Sequence, residues 1–276
     1  MVGNFGMVDI AASRFAVFGA VAGLALFTRP AATRWPTLRQ AAAALGLSVL
    51  GFTGYYVFLA FAIVAAGTEV PSLIIGTIPV WMMLLGRPAG LRMTALLPGL
   101  ALTALGIGLM VAGAWPDSAD GGQGAALYGR GLLLALVAMA SWTAYGLLNA
   151  AWLRRHTEID ATDWANWLGV ATGLGGLLIW LAGGSSVETM RVQSNVGLFV
   201  LLALAGGVGS SWLATVLWNV ASQRLPASLC GQLIVSETLF ALFYSFLWDG
   251  RWPRTIELVA AALFVLGILA SIKAHR

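Results

Sequence analysis

Charge is what this chain has least of. Only 9% of its 276 residues are charged, against 59% hydrophobic, and the mean hydropathy is +0.87. A soluble domain carries about 25% charged residues. So few charges cannot cover a water-facing surface, so the outer surface must face lipid. Cysteine is nearly absent as well: Cys230 stands alone in an apolar run, which excludes an intrachain disulfide and any multi-cysteine metal site. The two histidines, His156 and His275, fall in a loop and at the tail, leaving zinc and triad chemistry almost no material. No cofactor or nucleotide-binding motif is present, and no metal site or catalytic residue is predicted. The net charge of +4 and the pI near 9.7 do not indicate a nucleic-acid partner. The basic residues sit in short loops between apolar runs, where the positive-inside rule accounts for them.

What is there instead is a series of apolar runs, each near the roughly 20 residues that cross a bilayer. Nine are predicted, at 10–27, 41–67, 70–86, 93–115, 131–152, 164–183, 196–220, 227–248 and 256–272. The runs are continuous rather than alternating, so strands are not expected. Arg29, Arg34, Arg39, Arg87, Arg92, Arg154, Arg155, Arg224, Lys273 and Arg276 fall on one side of such a plan. Arg130, Arg191, Arg251 and Arg254 fall on the other, and Arg14 lies inside the first run. The bias puts the carboxy terminus in the cytoplasm and the amino terminus outside.

An internal repeat is visible. TALLPGLALTALGI at 94–107 matches TIELVAAALFVLGI at 255–268, and VPSLIIG at 70–76 matches LPASLCG at 225–231. The third helix thus pairs with the eighth and the fourth with the ninth. The repeat unit is five helices, and an odd unit inverts its membrane orientation on repetition. The first unit shows four helices and its opening one is expected to be missing, in line with the outside amino terminus. Residues 1–115 are read as the first repeat, 116–130 as a flexible external linker and 131–276 as the second repeat.

Two inverted five-helix halves resemble the drug/metabolite transporter superfamily and its EamA-type transporters. IAASRF at 10–15 is similar to the start of that family's second helix, with a membrane arginine. SWTAYGLL at 141–148 is similar to its sixth, and TVLWNVASQRLPAS at 215–228 to the turn between its eighth and ninth. The helix ending at Asp249, followed by an apolar helix with an LGI core, is similar to its closing pair. The Trp-x-Ala-Tyr pattern of Trp142–Tyr145 is similar to aromatic amino acid exporters. Asp249 and Arg92 depart from a family pattern that usually has Glu near both. The resemblance implies transport of small metabolites, commonly export, across a cytoplasmic (inner) membrane, by alternating access around a cavity between the halves. It implies no enzyme. The alternatives are a non-transporting membrane scaffold subunit and an intramembrane enzyme, for which only Glu237 could serve.

Several residues are candidates for lining such a cavity. Glu237 lies about 15 Å into its helix at 1.5 Å per residue. A carboxylate there costs about 2.5–3.5 kcal/mol or more. It should face a water-filled cavity or a partner, or stay protonated; it could bind a substrate amine, couple protons, or bond a neighbouring helix. Arg14 could bind a substrate carboxylate, or snorkel from about one turn inside its helix, or pair with another helix. Trp142, Tyr145 and Asn149 share one helix face at i, i+3 and i+7; Ser211, Thr215 and Trp218 repeat the spacing beside Asn219. Gln232 and Ser236 share the helix of Glu237, and Trp81 follows Pro79 as a cavity wall or gate. Such stripes suit either a cavity for a zwitterion with an apolar side chain or helix–helix hydrogen bonding. Trp35, Trp115, Trp152, Trp164, Trp180, Trp248 and Trp252 are expected in an aromatic belt. Gly19-x-x-x-Gly23 and Gly169-x-x-x-Gly173 read as close-packing surfaces in a monomer or a homodimer.

Overall fold

The computed structural model describes residues 5–29, 35–67, 69–114, 123–249 and 252–275. Among these, every one of the nine predicted segments is helical. They are α1 (Met7–Thr28), α2 (Leu38–Ser48) continuing into α3 (Gly54–Ala66), α4 (Glu69–Ile75) with α5 (Ile78–Leu85), α6 (Met93–Ala114) and α7 (Gln123–Arg155). Then come α8 (Ala161–Gly183), the short α9 (Val187–Val192), α10 (Val196–Ala205) continuing into α11 (Ala214–Arg224), α12 (Ala227–Asp249) and α13 (Thr255–Ala274). Six helical stretches are long and apolar enough to cross a bilayer: Met7–Thr28, Leu38–Ala66, Ala126–Arg155, Ala161–Gly183, Val196–Arg224 and Thr255–Ala274. The protein is an all-α polytopic membrane protein.

Local chemistry sets several helix starts. Thr37 and Gln40 form a reciprocal capping box at α2, each side chain satisfying the other's backbone N–H. The Asp160 carboxylate accepts from the N–H groups of Thr162 (2.8 Å) and Asp163 (3.3 Å) at the start of α8. At α13 the Glu257 carboxylate accepts from the Arg254 N–H at 2.7 Å. The third segment breaks at Gly76–Thr77, and Pro79 then opens α5, where its missing N–H costs nothing.

Two π-helical turns and two helix starts depart from the sequence reading. The second and seventh segments each contain a π-helical turn: π1 (Val49–Thr53) joins α2 to α3, and π2 (Gly206–Leu213) joins α10 to α11. Helix α7 begins at Gln123, so residues 123–130, assigned to the linker, are helical; Ala125, Ala126 and Leu127 favour continuation. The rest of that linker, and Trp115 with it, lies outside the described residues. Helix α1 begins at Met7, one turn earlier than its apolar run.

The chain forms two compact units. Unit 1 holds residues 1–60 and 148–224, and unit 2 holds 61–147 and 225–276. Each unit draws helices from both predicted repeats. In unit 1, α1 and α8 run antiparallel in close contact. A Cβ placed on Gly19 would lie 2.7 Å from the Gly173 Cα, and one on Gly173 would lie 2.8 Å from the Gly19 Cα. The two glycine motifs therefore pack against each other inside one chain, except that Gly23 meets nothing. In unit 2, α6 packs along α13, and α5 along α12. Gly106 faces the Phe264 ring, Gly267 faces the Thr103 hydroxyl, and Gly231 faces Met82. Small residues let these backbones approach where no water is available to drive packing.

Candidate functional site

Unit 1 holds half of the predicted cavity residues. Asn149 near the end of α7 and Asn219 on α11 are fully buried and bond each other, Asn149 Nδ2 donating to Asn219 Oδ1 at 2.9 Å. Trp164 on α8 donates its indole N–H to Asn149 Oδ1 at 2.7 Å. Asn219 Nδ2 continues to the Ala161 carbonyl at 3.4 Å. This triad ties three helices together and uses its own polar atoms. Trp164, expected in the interfacial belt, is instead fully buried and stacks on Trp152 at 5.4 Å. Ser211 and Thr215 are buried too, and the Thr215 hydroxyl donates back to the Ser211 carbonyl at 2.6 Å. Trp218 is half-buried on the same helix.

Arg14 lies in unit 1 on α1. Its guanidinium carbon is 5.2 Å from the Phe15 ring centroid and 5.5 Å from that of Tyr56 on α3. Sequence reasoning passed over Tyr56, because one tyrosine in a long apolar run gives no signal of its own. The same holds for Asp9, whose carboxylate is buried and accepts from the Ser185 N–H (2.8 Å) and hydroxyl (2.7 Å).

Unit 2 holds the rest. Glu237 lies ten residues past Ala227 in the 23-residue α12. It is exposed and has no hydrogen bond or ion pair among the described residues. One turn earlier, Gln232 is fully buried and donates to the Thr103 hydroxyl of α6 at 3.1 Å. Ser236 donates to the Leu233 carbonyl at 2.6 Å. Trp142 and Tyr145 meet edge to face, with ring centroids 6.1 Å apart; Tyr145 is buried and Trp142 is half-buried. Trp81 on α5 is 42% exposed, a large aromatic surface left for lipid or for a ligand. Among the described residues no group of three or more His, Cys, Asp and Glu side chains is arranged to hold a metal.

Comparison with known proteins decides the family. The model of the EamA-like transporter family matches residues 129–272. The inner membrane protein YtfF of Escherichia coli K12 is 35% identical over 248 residues, which is 84% of this chain and 75% of that protein. The chain belongs to the EamA-like transporter family.

A second relative, 26% identical over 268 residues, covers 96% of this chain and 84% of its own length. It carries the description "Probable terminal-alkyne amino-acid exporter" and comes from Streptantibioticus cattleyicolor. A solved crystal structure shares the fold with a TM-score of 0.75 at 21% identity, covering 98% of this chain and 90% of the other. Family membership makes the protein a multi-pass membrane transporter and gives the exposed carboxylate of Glu237 a context. In a helix that crosses lipid, an unpaired carboxylate at mid-length needs water, a partner or a ligand.

Proposed function

We propose that this protein is a secondary transporter or facilitator that exports amino acids or related small metabolites across the cytoplasmic membrane by alternating access. The observation that carries the reading is the alignment of nearly the whole chain with a relative described as an amino-acid exporter, within a transporter family. Glu237 supports the reading: an exposed carboxylate at mid-length in α12, with no hydrogen bond or ion pair among the described residues, has the chemistry to bind a substrate amine or to carry a coupling proton. Ser236, next to it on α12, and the Trp142–Tyr145 pair of α7 in the same unit have the mixed polar and aromatic chemistry that suits an amphipathic zwitterion. The ten-to-four bias of basic residues supports a cytoplasmic carboxy terminus.

Counterflow in proteoliposomes tests the reading. Vesicles preloaded with single amino acids are expected to take up the same labelled amino acid, with large neutral and aromatic ones moving fastest. Glu237→Gln is expected to lose that uptake while keeping the melting temperature of the parent. No uptake of any amino acid by well-folded protein would overturn the amino-acid reading.

A further inference from the structure

Arg14 is the one basic residue placed inside a predicted transmembrane run. Because α1 starts at Met7, Arg14 lies seven residues in, or about 10 Å along the axis at 1.5 Å per residue. That is two turns from the helix start rather than one, so reaching the interface by snorkelling demands more of its side chain. The side chain is only half-exposed, and its Nε is buried without a hydrogen-bond partner.

No described residue of unit 1 neutralises the charge. Of the acidic residues there, Asp9 is committed to Ser185, Asp163 to Arg29 at 3.2 Å, and Asp160 to the start of α8. Glu158 and Glu188 are exposed in the segments flanking α8. Arg14 makes no ion pair among the described residues. What surrounds it is aromatic: the faces of Phe15 and Tyr56 hold the guanidinium by cation–π attraction and fix its direction. They supply no hydrogen-bond acceptor for a fork of five N–H donors.

The π-helical turn π2 lies against the stem of the same side chain. A Cβ on Gly206 would lie 3.4 Å from Arg14 Cδ and 3.7 Å from the Ser210 hydroxyl, so the arginine stem and that hydroxyl converge over a residue without a side chain. Ser210 is exposed and in this structure donates to the Gly206 carbonyl at 2.9 Å. Rotation of one torsion frees the hydroxyl for another acceptor. π-Helical turns of this kind recur at functional sites.

We propose that Arg14, held against the edge-to-face pair Phe15–Tyr56 and facing Ser210 across Gly206, binds the carboxylate of the transported amino acid. The assignment rests on the amino-acid reading above and deepens it: the substrate must carry a free carboxylate. A planar guanidinium matches a carboxylate with two parallel hydrogen bonds, and such charge-assisted pairs strengthen away from water. The substrate thereby supplies the counter-ion that the protein withholds. The phosphate of an anionic lipid offers similar oxyanion chemistry, so the test separates the two sources.

The experiment is competition in the counterflow assay, using the best transported amino acid and its carboxamide, which keeps the amine and the side chain. For the wild-type protein the carboxamide is expected to compete at least roughly tenfold more weakly, the factor that loss of one charge-assisted pair implies. Arg14→Gln is expected to lower uptake roughly tenfold or more and to abolish the preference for the acid. Arg14→Lys is expected to recover part of both. Ser210→Ala, at an exposed position, is expected to fold normally and to weaken the preference by a smaller factor. Equal competition by the carboxamide in the wild type, which requires no variant to fold, overturns the assignment while leaving amino-acid transport intact. So does a preference retained in Arg14→Gln. Uptake that tracks added phosphatidylglycerol in the wild type but not in Arg14→Gln assigns the arginine to lipid and overturns it too. A wild type that moves no amino acid removes the functional reading, and this assignment with it.

Discussion

Asp9 and Asp163 stand 154 residues apart and do the same work at opposite ends of one antiparallel helix pair. Asp9, in the first turn of α1, holds Ser185 just past the end of α8; Asp163, in the first turn of α8, holds Arg29 just past the end of α1. Midway between them Gly19 meets Gly173, again 154 residues apart, with no room for a Cβ on either. In unit 2 the contacts Gly106–Phe264 and Thr103–Gly267 are likewise reciprocal at the offset of 161 seen in the sequence match. We read this as the signature of two inverted halves that exchange helices.

The Asp9 clasp predicts a stability effect confined to one end of α1. Asp9→Ala removes both bonds and leaves the Ser185 N–H without its acceptor. The expected cost is about 1–3 kcal/mol. Asp9→Asn, which keeps one acceptor oxygen, should cost less. Thermal unfolding of the detergent-solubilised protein reads the difference, and an Asp9→Ala variant that melts with the wild type would remove the clasp from the account.

Glycine spacing predicts a contrast between two positions one turn apart. Gly19→Ala forces a Cβ to within 2.7 Å of the Gly173 backbone, which cannot move aside as a flexible side chain would. Overpacking of this kind costs about 1–3 kcal/mol. Gly23→Ala meets open space, and should be neutral or gain up to about 1 kcal/mol of helix propensity. A homodimer built on the Gly-x-x-x-Gly motif predicts the reverse for Gly23, namely loss of an oligomer on size-exclusion with light scattering.

Much of this architecture is legible in the sequence. Spans of continuous apolar residues specify lipid-crossing helices because the bilayer fixes their length. The offset matches mark the third segment (α4 and α5) with α12, and α6 with α13, as related helices; α5 packs on α12 and α6 on α13. The π-helical turns were not legible. Gly206, Gly207 and Gly209 lower the α-helix propensity of one turn without specifying a π-turn, and both turns lie against the central pair, where Gly207 faces Val17 of α1 and Thr53 faces Gly175 of α8. Among the site residues, sequence flagged polar groups at membrane depth but could not tell which would satisfy one another. Asn149 and Asn219 look like Glu237 in a hydropathy plot. Only packing shows that the first two spend their hydrogen bonds on each other while the third has none among the described residues.

That distinction is testable. Asn219→Ala strands the buried Asn149 amide and should cost about 1–3 kcal/mol in stability. Its rank order of transported amino acids should match that of the wild type. A changed rank order in a variant of normal melting temperature would return the Asn149–Asn219–Trp164 triad to the substrate path.

The π-helical turns give the last prediction. They begin at Val49 and Gly206, equivalent places in the second and seventh helical segments, and each lies against a member of the central pair, π1 on α8 and π2 on α1. The Gly54 N–H donates to the Val49 carbonyl and the Ala214 N–H to that of Gly209, bonds that span five residues rather than four. Such a turn holds more residues than the α-helix it interrupts. Deleting one residue inside it therefore lets the segment relax toward α while the flanking helices keep their faces. Gly209 is the residue to delete, being exposed with open space at its Cβ position. The deletion variant should fold, keep its helical circular dichroism and lose most counterflow, because the whole wall that Gly206 and Ser210 present to the Arg14 side chain is rebuilt. Deleting Ala203 from the regular α10 should instead rotate all that follows by about 100° and prevent folding. Wild-type transport by the Gly209 deletion would show that π2 is a packing accommodation with no part in transport.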